Sequence, residues 1–212
     1  SRTSAFYLCT PSNPEGAVAD KAYLKNTISF ARQHNLMLFS DECYSEIYSS
    51  EKPHSALEVA VEMASNHDGQ IFDNVCIFNS LSKRSNVPGI RSGLIIGDET
   101  FMTAFQKFRN VAAPQIPGPI QHLSSLLWQD ETHVRENREL YAEKFNLAEN
   151  MLQNRYQAQK PAGGFFLWLN FTDFGGGKAA VSTLWKGCGL KLLPGAYLAQ
   201  TAELGFNPGE KY

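Results

Sequence analysis

The residues most able to do chemistry begin at Ser80-Leu81-Ser82-Lys83, with Arg91 eight positions beyond the lysine. A lone lysine after a strand is ordinarily a solvated surface residue. Here two hydroxyls precede it, and a guanidinium follows between Gly89-Ile90 and Ser92-Gly93. Hydroxyls and a guanidinium make a phosphate site, because one supplies neutral donors and the other a charged fork of N–H groups. A lysine beside a phosphate can be its ion-pair partner, or a nucleophile that forms a Schiff base with an aldehyde. A second group is Asp41-Glu42-Cys43-Tyr44, after an apolar run. Asp41 is by itself most simply a cap or turn former, and Tyr44 a core or rim aromatic. An aspartate at the carboxyl end of a buried parallel strand, however, sits where open α/β sheets bind ligands. The third group is Thr10-Pro11-Ser12-Asn13-Pro14-Glu15-Gly16. It reads as a turn in which Asn13 offers an amide donor and acceptor and the Asn-Pro step can hold a cis peptide.

Strand ends must position all three groups. Ala5 to Cys9 is a short apolar run stopped at Pro11. Asp20 can cap a helix to about His34, with Leu24, Ile28 and Ala31 on one face and Asn35 at its end. Leu36 to Ser40, Asn74 to Asn79 and Ser92 to Gly97 are further buried-strand candidates, and a patchier helix is expected over Ala56 to Ser65. Continuous apolarity fits strands covered on both faces, so the fold class is α/β: a mostly parallel sheet with helices on both faces. The rest is mainly helical. Asp98 can cap a helix bearing Phe101, Phe105 and Phe108, and Pro119 suits the first position of a helix to about Trp128. Thr132 to Tyr156 keeps a helical period long enough to bridge two domains. Strands are then expected at Phe165 to Leu169 and Leu190 to Leu193, with a helix between them to about Lys186. Residues 1–130 are thus read as part of one, ligand-binding domain, and 131–212 as an interdomain helix and part of a second, α+β domain.

Composition bounds the function. The 212 residues are 43% hydrophobic and 19% charged, and 12% aromatic content argues against disorder. A net charge of −2 speaks against nucleic acid or an anionic membrane as the main partner. No apolar run approaches the roughly 20 residues of a membrane span. Cys9, Cys43, Cys76 and Cys188 form no C-x-x-C pair, so a zinc or thioredoxin-type site is not expected and no metal ligands are assigned. The first three read as small buried hydrophobes in a reducing, cytoplasmic setting. Ser1-Arg2-Thr3-Ser4 has neither an initiator Met nor a signal-peptide pattern, and is expected to be a cut edge.

The order and spacing of the groups carry more than any one of them. Asn-Pro-x-Gly, Asp-x-x-Tyr and Ser-x-Ser-Lys with Gly-x-Arg-x-Gly resemble the fold-type I pyridoxal-phosphate enzymes, the aspartate aminotransferase superfamily. The separations Asn13 to Asp41 and Lys83 to Arg91 match that pattern. Gly163 to Trp168 and Pro194 to Tyr197 look like the family's small-domain segments. The stretch Cys9 to Gly16 looks most like the bacterial succinyldiaminopimelate aminotransferases. The resemblance implies that Lys83 holds the aldehyde of pyridoxal 5'-phosphate and moves the substrate Cα proton. It implies that Asp41 pairs with the pyridine nitrogen, and that Tyr44 and Asn13 donate to the ring oxygen, Asn13 also touching the substrate carboxylate. Ser80, Ser82 and Arg91 would bind the phosphate. It implies a cytoplasmic homodimer acting on an amino acid, with glutamate the expected donor, and a keto acid, in lysine or diaminopimelate biosynthesis. A C–S β-lyase on the same scaffold, or an aminotransferase-like regulatory domain that binds the cofactor without turnover, are the alternatives. Family members are roughly twice as long. Their upstream glycine-rich turn and ring-stacking aromatic, and the carboxylate-binding arginine after a segment like Asn207 to Tyr212, have no counterpart here. The chain is therefore expected to be a fragment, with negligible activity by itself.

Overall fold

The computed structural model describes residues 2–64, 69–113, 115–153 and 155–212. Its centre is a four-stranded sheet of β1 (Ala5–Cys9), β2 (Met37–Asp41), β3 (Val75–Ser80) and β4 (Gly93–Gly97), in that order. β1, β2 and β3 run parallel, while β4 returns antiparallel to β3. The sheet is therefore mixed and mostly parallel.

Each strand sorts its side chains by alternation. Leu38, Val75 and Ile77 turn to one face, where α1 (Lys21–Gln33) lays down Leu24, Ile28 and Ala31, and α2 (Ala56–Met63) lays down Ala56, Val59 and Ala60. Phe39 turns to the opposite face. There its ring lies 5.1 Å from Tyr7, 5.7 Å from Phe78 and 5.1 Å from Phe101 of α4 (Glu99–Ala112). Helices on both faces are what the uninterrupted apolar run in β2 requires.

Local signals start the helices where expected. Asp20 accepts from the Tyr23 N–H at 2.7 Å, and Asp98 from the Phe101 N–H at 2.8 Å. Ser55 and Glu58 form a capping box on α2. That helix is described to Met63, and Ser65, where its end was expected, lies outside the described residues. Short α3 (Leu81–Arg84) follows β3 directly, and α5 (Gly118–Gln129) and α6 (Thr132–Leu152) come after α4.

Several expectations are corrected. Pro119 is the second helical residue of α5, not the first, and α6 ends at Leu152 instead of Tyr156. Gln153, the residue after Leu152, has φ +49°, which stops a right-handed helix. Phe165 to Leu169 and Leu190 to Leu193 are not strands. An apolar run becomes a strand only with a hydrogen-bonding partner, and the bridge Tyr48 to Gly163 is the isolated one near the first run. All four cysteines are free, but only Cys76 is buried; Cys9 and Cys43 are half-buried.

Two compact units result: Ser1–Lys144 with Pro161–Phe166, and Phe145–Lys160 with Leu167–Tyr212. The second is built around α7 (Gly177–Cys188), with Tyr156 against Phe171 and Trp168 stacked on Tyr212 at 4.7 Å. No helix among the described residues is long and apolar enough to cross a membrane.

Candidate active site

Parallel strands put their carboxyl ends on one edge. The register pairs Cys9 with Asp41 and Asp41 with Phe78, so the residues following β1, β2 and β3 emerge together. Because β4 is antiparallel, its first residue, Gly93, lies opposite Ser80. Reversal of that one strand brings Arg91 to the same edge as Asn13, Asp41 and Lys83. A parallel β4 would have carried Arg91 to the far end.

The loop after β1 is tightly tied. Ser12 accepts from the Ala17 N–H through Oγ and from Gly16 N–H through its carbonyl, and Thr10 Oγ1 accepts from Ala19 N–H. Both Thr10-Pro11 and Asn13-Pro14 are cis. Asn13 Nδ2 donates to the Tyr44 hydroxyl at 3.1 Å, so two residues from separate loops meet as a pair.

The loop after β2 turns on Asp41, whose Oδ1 accepts the Cys43 N–H at 3.0 Å. Next to it, Glu42 is 2% exposed and accepts from Ala56 N–H at 2.8 Å and Ser40 Oγ at 3.0 Å. Burial pushes the Glu42 carboxyl above its usual range, against the hydrogen bonds it receives. Burial and then the Asp41 carboxylate push the Cys43 thiol up to about 12. Burial also raises the Tyr44 phenol, with the Asn13 hydrogen bond acting in the other direction. Tyr44 therefore keeps its proton at neutral pH and stays a donor.

Ser80 caps α3: its Oγ accepts from Ser82 N–H at 3.1 Å and lies 2.9 Å from Ser82 Oγ. Lys83 stands on that single turn, half-buried, with Nζ 4.9 Å from the Phe165 ring centre and 6.0 Å from that of Tyr44. Its amine makes no hydrogen bond or ion pair among the described residues. Arg91 is exposed in the left-handed region at φ +55° and donates to the Pro88 carbonyl at 2.9 Å. Such a conformation costs a non-glycine residue about 1–2 kcal/mol, and is a feature that functional loops retain. Asn13, Tyr44 and Lys83 thus form one cluster, Ser80 and Ser82 another beside it, and Arg91 stands at the same edge without touching either hydroxyl.

Phe165 is the residue that sequence reasoning missed. It was expected in a strand; instead it faces Lys83, meets Tyr44 at 5.3 Å and stacks on Tyr141 at 5.6 Å. The segment before it is stitched between the two loops. Gly163 N–H reaches the Gly16 carbonyl and Gly164 N–H the Ile47 carbonyl, while Ser49 bonds Pro161 and Ala162. A Cβ on Gly163 would lie 2.5 Å from Pro11, so only glycine permits this approach. The signals in the sequence are the Gly163-Gly164 pair and the resemblance of Gly163 to Trp168 to a family segment.

Comparison with known proteins follows the same lines. Residues 1–203 match the family Aminotransferase class I and II. A crystal structure of an aminotransferase from Neisseria meningitidis superposes with a TM-score of 0.91 at 37% identity, covering 100% of this chain and 52% of that one. The 4-dedimethylamino-4-oxo-anhydrotetracycline transaminase OxyQ of Streptomyces rimosus is 33% identical over 76% of this chain and 44% of its own. An LL-diaminopimelate aminotransferase of Nitratidesulfovibrio vulgaris is 28% identical over 100% of this chain and 51% of its own. The chain spans about half the length of the relatives it matches.

Proposed function

The chain belongs to the aminotransferase class I and II family, and on that premise we propose that it carries most of the cofactor-holding residues of an enzyme that moves an amino group from an amino acid, glutamate, to a keto acid. The observation that supports this reading is the single sheet edge on which Asn13, Asp41, Tyr44, Lys83 and Arg91 stand. Pyridoxal 5'-phosphate is the cofactor of this family, and when bound its ring withdraws electrons from the substrate Cα.

The donor set fits that group. Lys83 presents an amine with no competing hydrogen bond among the described residues, which is what covalent attachment to an aldehyde needs. The same Nζ would be the base that takes the proton from the substrate Cα and returns it. Asp41 has one oxygen committed to Cys43 N–H, leaving the other to meet the ring nitrogen. A carboxylate there would favour the protonated ring nitrogen, because a nearby opposite charge stabilises the charged form. Tyr44 accepts from Asn13, so its own O–H is left to donate to the ring oxygen. Ser80, Ser82 and Arg91 would hold the phosphate, and Asn13 would meet the substrate carboxylate.

In the whole enzyme, residues 1–130 belong to the large cofactor-binding domain and 131–212 to the interdomain helix and small domain. The diaminopimelate aminotransferase relative supports a substrate in lysine or diaminopimelate biosynthesis, and the enzyme works as a cytoplasmic homodimer. The test uses the full-length protein. Lys83→Ala should abolish both the visible cofactor absorbance and amino transfer from glutamate, and retained turnover refutes the reading. Offering cystathionine beside glutamate and keto acids separates transfer from C–S elimination, and cofactor absorbance without turnover on either would point to a regulatory domain.

A further inference from the structure

Lys83 stands on a helix of one turn, and one turn does not hold itself, because nucleation fixes several dihedrals for one hydrogen bond. In α3 that bond is Ser85 N–H to the Leu81 carbonyl. The rest of its fixing comes from outside. Ser80 holds the amino end. The carboxyl end is held by the junction between α5 and α6. Arg84, 4% exposed, donates to the Leu127 carbonyl at 2.7 Å and the Trp128 carbonyl at 3.4 Å, and pairs with Glu131. Those carbonyls end α5 and lack partners within the helix. The next residue, Ser85, lies with its Oγ 2.8 Å from His133 Nε2, and His133 Nδ1 lies 2.8 Å from Asp130 Oδ2.

Ser85, His133 and Asp130 have the connectivity of a nucleophile relay. A nucleophile must reach its substrate, however, and Ser85 is 8% exposed. The arrangement serves to hold. In the tautomer with its proton on Nδ1, facing Asp130, Nε2 accepts from the Ser85 hydroxyl. A rotation of α3 by about 10° would carry an amine roughly 8 Å from its axis by about 1.4 Å, and a misplacement of about 1 Å can cost about 10²-fold in rate.

We propose that His133, oriented by Asp130, is a positioning residue that fixes Ser85 at the end of the Lys83 turn and so sets where the Lys83 amine stands. The proposal rests on the reading of Lys83 as the cofactor lysine. The test uses the full-length protein as native, His133→Ala, Ser85→Ala, Asp130→Asn and His133→Gln, the last as a conservative replacement. Apoprotein is mixed with pyridoxal 5'-phosphate, the growth of the visible band is timed, and borohydride trapping followed by peptide mass locates the attachment. Amino-transfer kcat and KM and thermal midpoints are measured alongside. His133→Ala and Ser85→Ala should slow band growth about fivefold or more and lower kcat about tenfold, with KM for the amino acid within about twofold. His133→Gln should recover most of the loss, and the exposed Asp130→Asn should show about a threefold effect even if the alanine variants fold poorly. Unchanged band growth and kcat in the folded variants, or losses that only track the unfolded fraction, overturn the positioning role while leaving the cofactor reading intact. If the native protein gives no band and no trapped Lys83 peptide, both readings fall.

Discussion

Replacing Arg84 tests whether a buried cation holds the end of α5. Its side chain is 4% exposed, and that of its carboxylate partner, Glu131, is 69% exposed. An ion pair with one solvated member is worth about 0–1 kcal/mol, so the hydrogen bonds to carbonyls should decide. The bond to Leu127 O is short at 2.7 Å, and that to Trp128 O is weak at 3.4 Å. Hydrogen bonds from a charged donor contribute about 1.5–3 kcal/mol each. Counting one full bond and part of another, and recovering some desolvation of the guanidinium, Arg84→Met should cost about 2–3 kcal/mol. Methionine keeps most of the volume over the Trp128 ring, which lies 5.1 Å from the guanidinium carbon. Arg84→Ala also loses that packing and should cost about 1–2 kcal/mol more. Guanidinium-chloride unfolding of the full-length protein, followed by tryptophan fluorescence, measures both, since Trp128 reports from beside the substitution. A loss below about 1 kcal/mol in both variants would refute the idea that Arg84 holds the α5 end. Equal losses would refute the packing part alone.

Other expectations come from the same geometry. Burial raises Glu42, so the stability it contributes is fully present below its unfolded value and is lost as pH rises through the folded one. Glu42→Gln keeps an acceptor for Ala56 and Ser40, and its thermal midpoint should gain on the native protein as pH rises above the ordinary carboxylate range; a difference that is flat or shrinks with pH contradicts this. With its thiol pushed up to about 12, Cys43 stays protonated at pH 8. Iodoacetamide at that pH should label exposed Cys188 and spare Cys43, as read by peptide mass, and comparable labelling of the two would be wrong for this environment. Gly16 has φ +73°, and a Cβ there would lie 2.5 Å from the Pro161 Cβ. Gly16→Ala should therefore destabilise by about 2 kcal/mol or more, seen as a lowered denaturant midpoint, and an unchanged midpoint would show that the loop relaxes freely. Tyr44→Phe removes one donor and should weaken cofactor affinity about tenfold by equilibrium titration; unaltered affinity would remove Tyr44 from the site.

The helix starts and the buried strands were legible because their causes are local. Asp20 and Asp98 cap helices within three residues of themselves, and the runs at Ala5 to Cys9 and Leu36 to Ser40 are apolar without alternation. Type and spacing along the chain singled out Asn13, Asp41, Tyr44, Lys83 and Arg91, and the register of the sheet brings them to one edge. What the sequence could not set is anything that depends on a distant partner. The antiparallel return of β4, which brings Arg91 to the edge shared by Asp41 and Lys83, depends on which way that strand pairs with β3. Phe165 lies in an apolar run that reads as a strand, yet it finds no ladder and instead packs its ring against Tyr44 and Tyr141 near the Lys83 amine. Glu42 looks like a surface carboxylate beside Asp41 and is buried because the first N–H of α2 points at it. His133 meets Ser85 only because α5 and α6 fold back beside α3. Sequence alone determined which groups are present and at which strand ends; tertiary structure decided their company, because hydrogen bonds and ring contacts between distant segments exist only once the chain has closed around them.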